Sequence, residues 1–320
     1  MSLEKRAYPS NRFALELDKQ MAGWITSAEG GQATTEPVKS RLAGGYGSRQ
    51  HPGVTKFEDI TISCGTGMSE QFYQWLQSSL NYDHMYHDGA IVAADFDTRE
   101  RNRLNFYRGL ITEFGLPALD AKKNELCHLT AKITPERTEM EYRAEAGNKI
   151  LSAASIDPRV QKMWVCSGFR LDIKGMPCSN VLTVDALTFK QQTVENPAGE
   201  TAYPDKHPVH INAPDLVITI PESDAKPWYQ WHRDFVVNGK SGRDSELSGR
   251  LEFQTANRQH TLFTVHFPIL GITKFAPEKL ESGSDKIRTV KITMYTEMIV
   301  NGDKSVFEYG STGKGKATWT

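Results

Sequence analysis

The side chains best suited to chemistry sit close together. His84, His87 and Asp88 place two imidazoles three positions apart with a carboxylate beside them, the donors and the helical spacing that can hold a zinc ion and activate water for hydrolysis. Their surroundings count against that use. Gly89 follows at once, the run from Asn81 to Gly89 has a loop's composition, and 156 positions later the chain carries Lys240, Arg243 and Asp244 instead. His207 and His210 repeat the spacing but straddle Pro208, which disfavours the helix that would turn both rings to one site. His128 and His266 fall in strand-like patterns, where satisfied histidines are commoner than general bases. Neither a Gly-x-Ser-x-Gly elbow nor a Cys/His nucleophile pair occurs, and Gly65, Gly67 and Gly242 are too sparse to cradle a phosphate. Cys64, Cys127, Cys166 and Cys178 lack the paired short spacings of a zinc site. A cytoplasmic origin argues against disulfides, so all four are expected as small buried or partly buried residues. No catalytic residue, metal ligand or cofactor is assigned.

The elements around these residues are written twice. The run Asp59–Trp75 is echoed by Asp215–Trp231 at a constant offset of 156 (215 − 59 and 231 − 75). Each copy reads as a short β-branched strand, a polar turn and an aromatic-rich helix. Ser69 or Ser223 can cap the helix, and Pro227 suits a first turn. Helical geometry puts Phe72, Trp75 and Leu76 on one face, and Trp228, Trp231 and His232 on another, so Phe72, Trp75, Leu76, Trp228 and Trp231 are the expected core of the duplicated helix.

The echo extends along the chain. Phe13–Asp18 alternates as a half-buried strand and returns as Phe169–Lys174. Thr26–Pro52, which contains Gly44, Gly45, Tyr46 and Gly47, and Gln191–Pro208 read as long polar loops, either solvated or ordered against another subunit. Strands are expected at Ala90–Asp95, Leu104–Tyr107 and Gly109–Phe114, answered by Arg250–Phe253, Leu262–Phe267 and Gly271–Phe275. Leu126–Thr134 and Ile287–Thr293 are the last long strands, closed by Thr-Glu-Met at Thr138–Met140 and Thr296–Met298. The fold expected is mainly β: two tandem homologous antiparallel sandwich or barrel domains, residues 1–142 and 169–320, each with one flanking α-helix, joined by a linker over 143–168.

Composition narrows the function. The 320 residues suit two domains, and a net charge of −1 (Lys+Arg 38, Asp+Glu 39) gives no electrostatic reason to expect nucleic acid or an anionic membrane as partner. The first residues lack a signal-peptide core and no apolar run is long enough to span a bilayer, so synthesis in a cytoplasm without a membrane anchor is expected.

Lys56–Ser63, then Phe72-Tyr-Gln-Trp75, then Leu116–Asp120 with Asn124-Glu-Leu126 and the closing strand, resemble the tube-protein family of contractile phage tails and extracellular contractile injection systems. The resemblance covers roughly Phe13–Tyr142; the second copy is similar more weakly, through Phe169–Ile173, Trp228–Trp231 and Ile272–Phe275. It implies a β-barrel-like domain whose sheet lines the lumen of a hexameric ring, a helix on its flank, and a long loop that reaches a neighbour, with Gly44–Gly47 as the candidate subunit contact. The chain departs from the family pattern in being doubled. Three copies would then supply six domains, a trimer forming a pseudo-hexamer. The function implied is a structural component of the inner tube of a phage tail or injection system, stacking in rings beside tube, sheath or baseplate proteins. It has no reaction of its own, and nucleic acid or an effector enters only as lumen cargo. Three alternatives stay open: a baseplate or hub adaptor joining a threefold spike to a sixfold tube, a soluble β-barrel binding protein, and a metal hydrolase using His84 and His87.

Overall fold

Alternation along β1 (Arg12–Leu17) sorts its side chains between two faces. Leu15 and Leu17 enter the main hydrophobic core, while Ala14 joins a small cluster with Met21, Ala90 and Val92. A computed structural model describes residues 12–41, 48–81, 83, 85–95, 98–142, 164–196, 205–278, 287–297 and 306–309. Asp18 and Lys19, both at positive φ, turn the chain into β2 (Gln20–Gly30). Gly30 and Gly31, at φ 89° and 81°, then let it leave that strand for a hairpin of β3 (Ala33–Arg41) and β4 (Ser48–Phe57). Next come β5 (Ile60–Cys64), helix α1 (Glu70–Leu80), β6 (His87–Ala94), β7 (Glu100–Leu116), the short β8 (Leu119–Asp120), β9 (Leu129–Thr134) and β10 (Arg137–Tyr142).

The second half runs β11 (Phe169–Ile173), β12 (Thr183–Val184), β13 (Leu187–Asn196), β14 (Asp205–Asn212) and β15 (Leu216–Pro221), then α2 (Ala225–His232), which continues as a π-helical turn over Arg233–Val237. It ends with β16 (Leu247–Gln254), β17 (Thr261–Pro277), β18 (Thr289–Glu297) and β19 (Phe307–Tyr309). The fold is mainly β, with two α-helices among the described residues.

In the first half β1, β2, β5, β9, β7 and β6 pair in a closed six-stranded barrel, with β10 added beside β7. Closure removes the free edges that an open sheet would present. The second half repeats the same neighbours: β11 on β16, β16 on β17, β17 on β18, β18 on β15, β15 on β12, and β19 beside β17. Here β12 pairs with β8 of the first half instead of closing on β11, so this sheet stays open and is joined to the barrel unit.

Several expectations need correction. Thr26–Pro52 is not a loop: within it lie the end of β2, β3 and the start of β4, and Gln191–Pro208 likewise belongs largely to the β13–β14 hairpin. Gly44, Gly45, Tyr46 and Gly47 lie outside the described residues. Each pair of strands expected before and after residues 108 and 268 is one 17-residue strand, β7 or β17, that changes neighbours halfway. Pro268, which cannot donate to a ladder, falls in the bulge where β17 leaves β16 for β18. The counterpart of β10 is β19 rather than Thr296–Met298, because each pairs with the first half of its long strand. Leu126 lies outside β9 and makes an isolated bridge with Val165.

The two helices are built alike but not finished alike. Ser69 Oγ caps α1 by accepting from Phe72 N at 3.3 Å, whereas Ser223 lies in a 3-10 turn and makes no cap, its hydroxyl going to Asp224. Pro227 is the third residue of α2, still within the first turn, where the missing N–H donor costs no intrahelical hydrogen bond. Phe72, Trp75, Leu76 and Trp228 are fully buried, while Trp231 is half-buried. The equivalent indoles Trp75 and Trp231 (75 + 156) donate to the carbonyls of Met85 and Ser245, at 2.9 and 3.0 Å.

Cys127 and Cys166 form a disulfide, contrary to the expectation of four unpaired cysteines. Both are buried, and the bond ties the approach to β9 to the segment before β11, where Trp164 packs edge-on against Phe253 and Phe263.

Trp75→Ala and Trp228→Ala should each lower unfolding free energy by about 3–5 kcal/mol, as large aromatic truncations do, with Trp231→Ala costing less because its ring is only partly buried. Denaturant melts of the three variants check the ranking, and equal costs for all three would remove it. Reducing the Cys127–Cys166 bond should cost about 2–4 kcal/mol, the loop-closure value for residues 39 apart, read as a lower melting temperature with reductant and no such shift in Cys127→Ala/Cys166→Ala.

Candidate assembly surface

The second half of β7 has two edges. One pairs with β9; the other pairs with β13, Leu187 to Lys190 lying opposite Leu116 to Glu113. A strand from the second half of the chain thus extends the barrel's own sheet. Phe189 stacks on Phe114 at 6.4 Å, both rings are buried, and Lys190 and Lys132 share the Glu113 carboxylate at 3.7 and 3.8 Å. These pairs suit a half-buried ladder, with aromatics inward and charges along the rim.

A second contact lies over α1. Tyr73 on its outer face stacks on Tyr309 at 3.9 Å and on Phe307 at 6.5 Å, so β19 covers the helix of the other half. Phe307 also meets Phe114 edge-on at 5.8 Å, which joins the two contacts into one apolar surface. Burial raises the Tyr73 phenol well above its ordinary range, and its hydroxyl donates to Thr66 O at 2.8 Å. Polar bonds close the margin. Tyr86 Oη donates to Lys206 O at 2.8 Å, Val306 N donates to Asn81 Oδ1 at 3.1 Å, and Ala121 N donates to Leu182 O at 2.8 Å.

Residues weighed for chemistry are used otherwise. His84 lies outside the described residues. His87 Nδ1 meets Asp18 Oδ2 at 2.7 Å, and Asp88 Oδ1 accepts from Arg108 N at 2.8 Å, so the two side chains face different partners. His207 and His210 lie on strand β14, His207 at 3.5 Å from Tyr86 Oη, and His266 pairs with Glu308 at 3.1 Å. Burial pushes the Cys64 thiol up to about 12, which keeps it protonated and a poor nucleophile at neutral pH. Among the described residues no group of three His, Cys, Asp or Glu side chains could hold a metal ion, and no helix is long and apolar enough to cross a membrane.

Sequence reasoning missed β13, β19 and Tyr73 as contact residues. A signal for Tyr73 existed: it lies beside the core stripe in Phe72-Tyr-Gln-Trp75, and the same tyrosine recurs as Tyr229.

No curated protein sequence matches this chain. Among solved structures, a sheath-tube complex of the PVC extracellular contractile injection system in the extended state is similar at 20% identity, covering 44% of this chain and 95% of its own, with a TM-score of 0.39. The anti-feeding prophage tube-terminating cap is similar at 19% identity over 45% of this chain and 100% of its own, with a TM-score of 0.38. Hcp1 from Flavobacterium johnsoniae is similar at 14% identity over 42% and 97%, with a TM-score of 0.27. Residues 9–139, which contain the barrel of the first half, match the family described as T4-like virus tail tube protein gp19.

Proposed function

We propose that this chain is a structural component of the inner tube of a phage tail or contractile injection system, and that three copies close each ring. The family match over residues 9–139 supports the tube. The observation that carries the ring is the joint between the two halves: two units with the same strand neighbours already sit side by side in one chain, knit by β13 on β7 and β12 on β8. Residues 1–142 and 169–320 then count as two tube-like domains with 143–168 between them. A joint of one unit on the next, repeated head to tail, closes a ring when its rotation divides the circle. Six units per ring, as the family resemblance implies, need three chains. The partners are further rings of the same chain and the tube, sheath or baseplate proteins of the particle.

Native mass spectrometry and end-on electron microscopy of the purified assemblies should give three chains per ring with threefold symmetry and a sixfold outline. Six chains per ring would make the second unit an outer or stacked layer and overturn the stoichiometry. A uniform monomer at all concentrations would overturn the tube reading.

The β3–β4 hairpin supplies a separate check. Its exposed residues add little core, so replacing Thr34–Lys56 by a short glycine-rich turn should leave the melting temperature near that of the parent and abolish assembly. Rings of normal size from the shortened chain would remove the hairpin from the interface.

A further inference from the structure

Two of the surfaces that join the two halves, the β7 edge under β13 and the α1 face under β19, have a second, uncovered version. The second half of β17 corresponds to that of β7 at an offset of 161 (272 − 111), and its residues differ in exposure rather than in place. Thr112, Phe114, Gly115 and Leu116 are buried under β13, whereas Thr273, Lys274 and Pro277 are exposed and Phe275 and Ala276 only half-buried. Among the described residues β18 pairs one edge of this segment and nothing pairs the other.

The helix tells the same story independently. Tyr229 is the counterpart of Tyr73 (73 + 156), yet it is 49% exposed where Tyr73 is 1%. Register identifies what is missing. Phe307 and Tyr309 lie opposite Val265 and Phe263; Met140 and Tyr142 lie opposite Leu104 and Asn102, the same positions 161 earlier. Met140 is 45% exposed and Tyr142 77%, while Phe307 is fully buried. The β3–β4 hairpin, counterpart of β13–β14, makes a separate two-stranded sheet with Val38 and Val54 exposed. Such a ribbon is marginal in water on its own.

We propose that α2 and the open edge of β17 receive β10 and the β3–β4 hairpin of a second copy of this chain. Tyr142 stacks on Tyr229 as Tyr309 stacks on Tyr73, and Met140 enters beside Phe275 as Phe307 enters beside Phe114. The joint between chains thereby repeats two contacts of the joint within the chain, the hairpin on the open strand edge and the short strand over the helix. The donor surfaces lie on the first half and the acceptor surfaces on the second, so the contact is head to tail, with no twofold axis, and can propagate. This placement deepens the ring reading above and rests on it only for closure.

The test is a short bis-maleimide cross-link between Tyr142→Cys and Tyr229→Cys, both in a Cys178→Ser background to remove the partly exposed native thiol. Both tyrosines are exposed, so thermal unfolding of the variants should match the parent. The double variant should yield covalently linked multimers ending in a closed three-chain species. A mixture of the two single variants should stop at dimers, and each single variant alone should stay uncross-linked. Tyr229→Glu should abolish assembly while leaving the chain folded. Cross-linking within one single variant, or its absence from the double variant, overturns the docking. Parent rings without cross-links sink this docking and keep the tube reading, whereas cross-linked open filaments keep the docking and sink ring closure.

Discussion

A β-strand has two edges, and the second half of β7 is covered on both. On one side lies β9 of its own barrel; on the other lies β13, contributed by a strand pair more than 70 residues further along. The rest of the architecture follows from that second pairing. Leu187 and Phe189 must point into the barrel unit's core for the ladder to form, which draws the β13–β14 hairpin out of its own sheet. Once there, it leaves β12 beside β8, so the second sheet opens toward the first instead of closing on β11. Each backbone hydrogen bond contributes only about 0.5–1.5 kcal/mol net, yet leaving a row of them unmade on a flat edge invites uncontrolled pairing. At the second half of β7 the chain meets that hazard by giving both edges a partner.

The two halves have diverged where their environments differ. Tyr73 and Tyr229 keep the same residue, and the indoles of Trp75 and Trp231 keep the same kind of carbonyl acceptor, so the helix is retained as a unit. What changes is the strand beside each long strand: Phe307 and Tyr309 on β19, which covers α1, and Met140 and Tyr142 on β10, which the proposed docking lays over α2 of a second copy. A buried phenylalanine exchanged for a flexible methionine suits a joint formed during assembly, since Met adapts to an imperfect pocket. The joint within the chain has no such need, because it forms once, during folding.

Much of this was legible in the sequence, for physical reasons that also mark where legibility ended. Leu15, Ile60, Ile62 and Leu171 sit in strands with one face buried, and that burial is what writes an alternating pattern. The α1 core was readable because Phe72, Trp75 and Leu76 share a 3.6-residue face. The hairpins were not, because β3 and β4 are exposed almost throughout and carry no period of two. The long strands were split in reading at Arg108, which has φ 47°, and at Pro268, the points where a strand exchanges neighbours. Tyr142 and Tyr229 were unreadable as a site, since an exposed tyrosine looks like any other until its buried twin is seen.

Duplication also alters the thermodynamics of building a ring. A ring of six separate domains must form six joints between free molecules, each losing translational and rotational freedom. With the domains fused in pairs, alternate joints form inside one chain, where the effective concentration of the partner is already high, and only the remaining ones pay the full cost of association. The ring proposed above would then nucleate from three bodies instead of six. Fusion carries a constraint in return. In a hexamer of identical domains one rotation is repeated and any error is shared equally, but here the inner joint is set by β13, Phe189 and Tyr309, and the proposed outer one would be set by β3, Met140 and Tyr142. The two rotations must sum to one third of a turn for three chains to close, so a change at the inner joint has to be matched at the outer. That coupling is a physical reason for the same tyrosine to remain at both Tyr73 and Tyr229 while the residues around it drift.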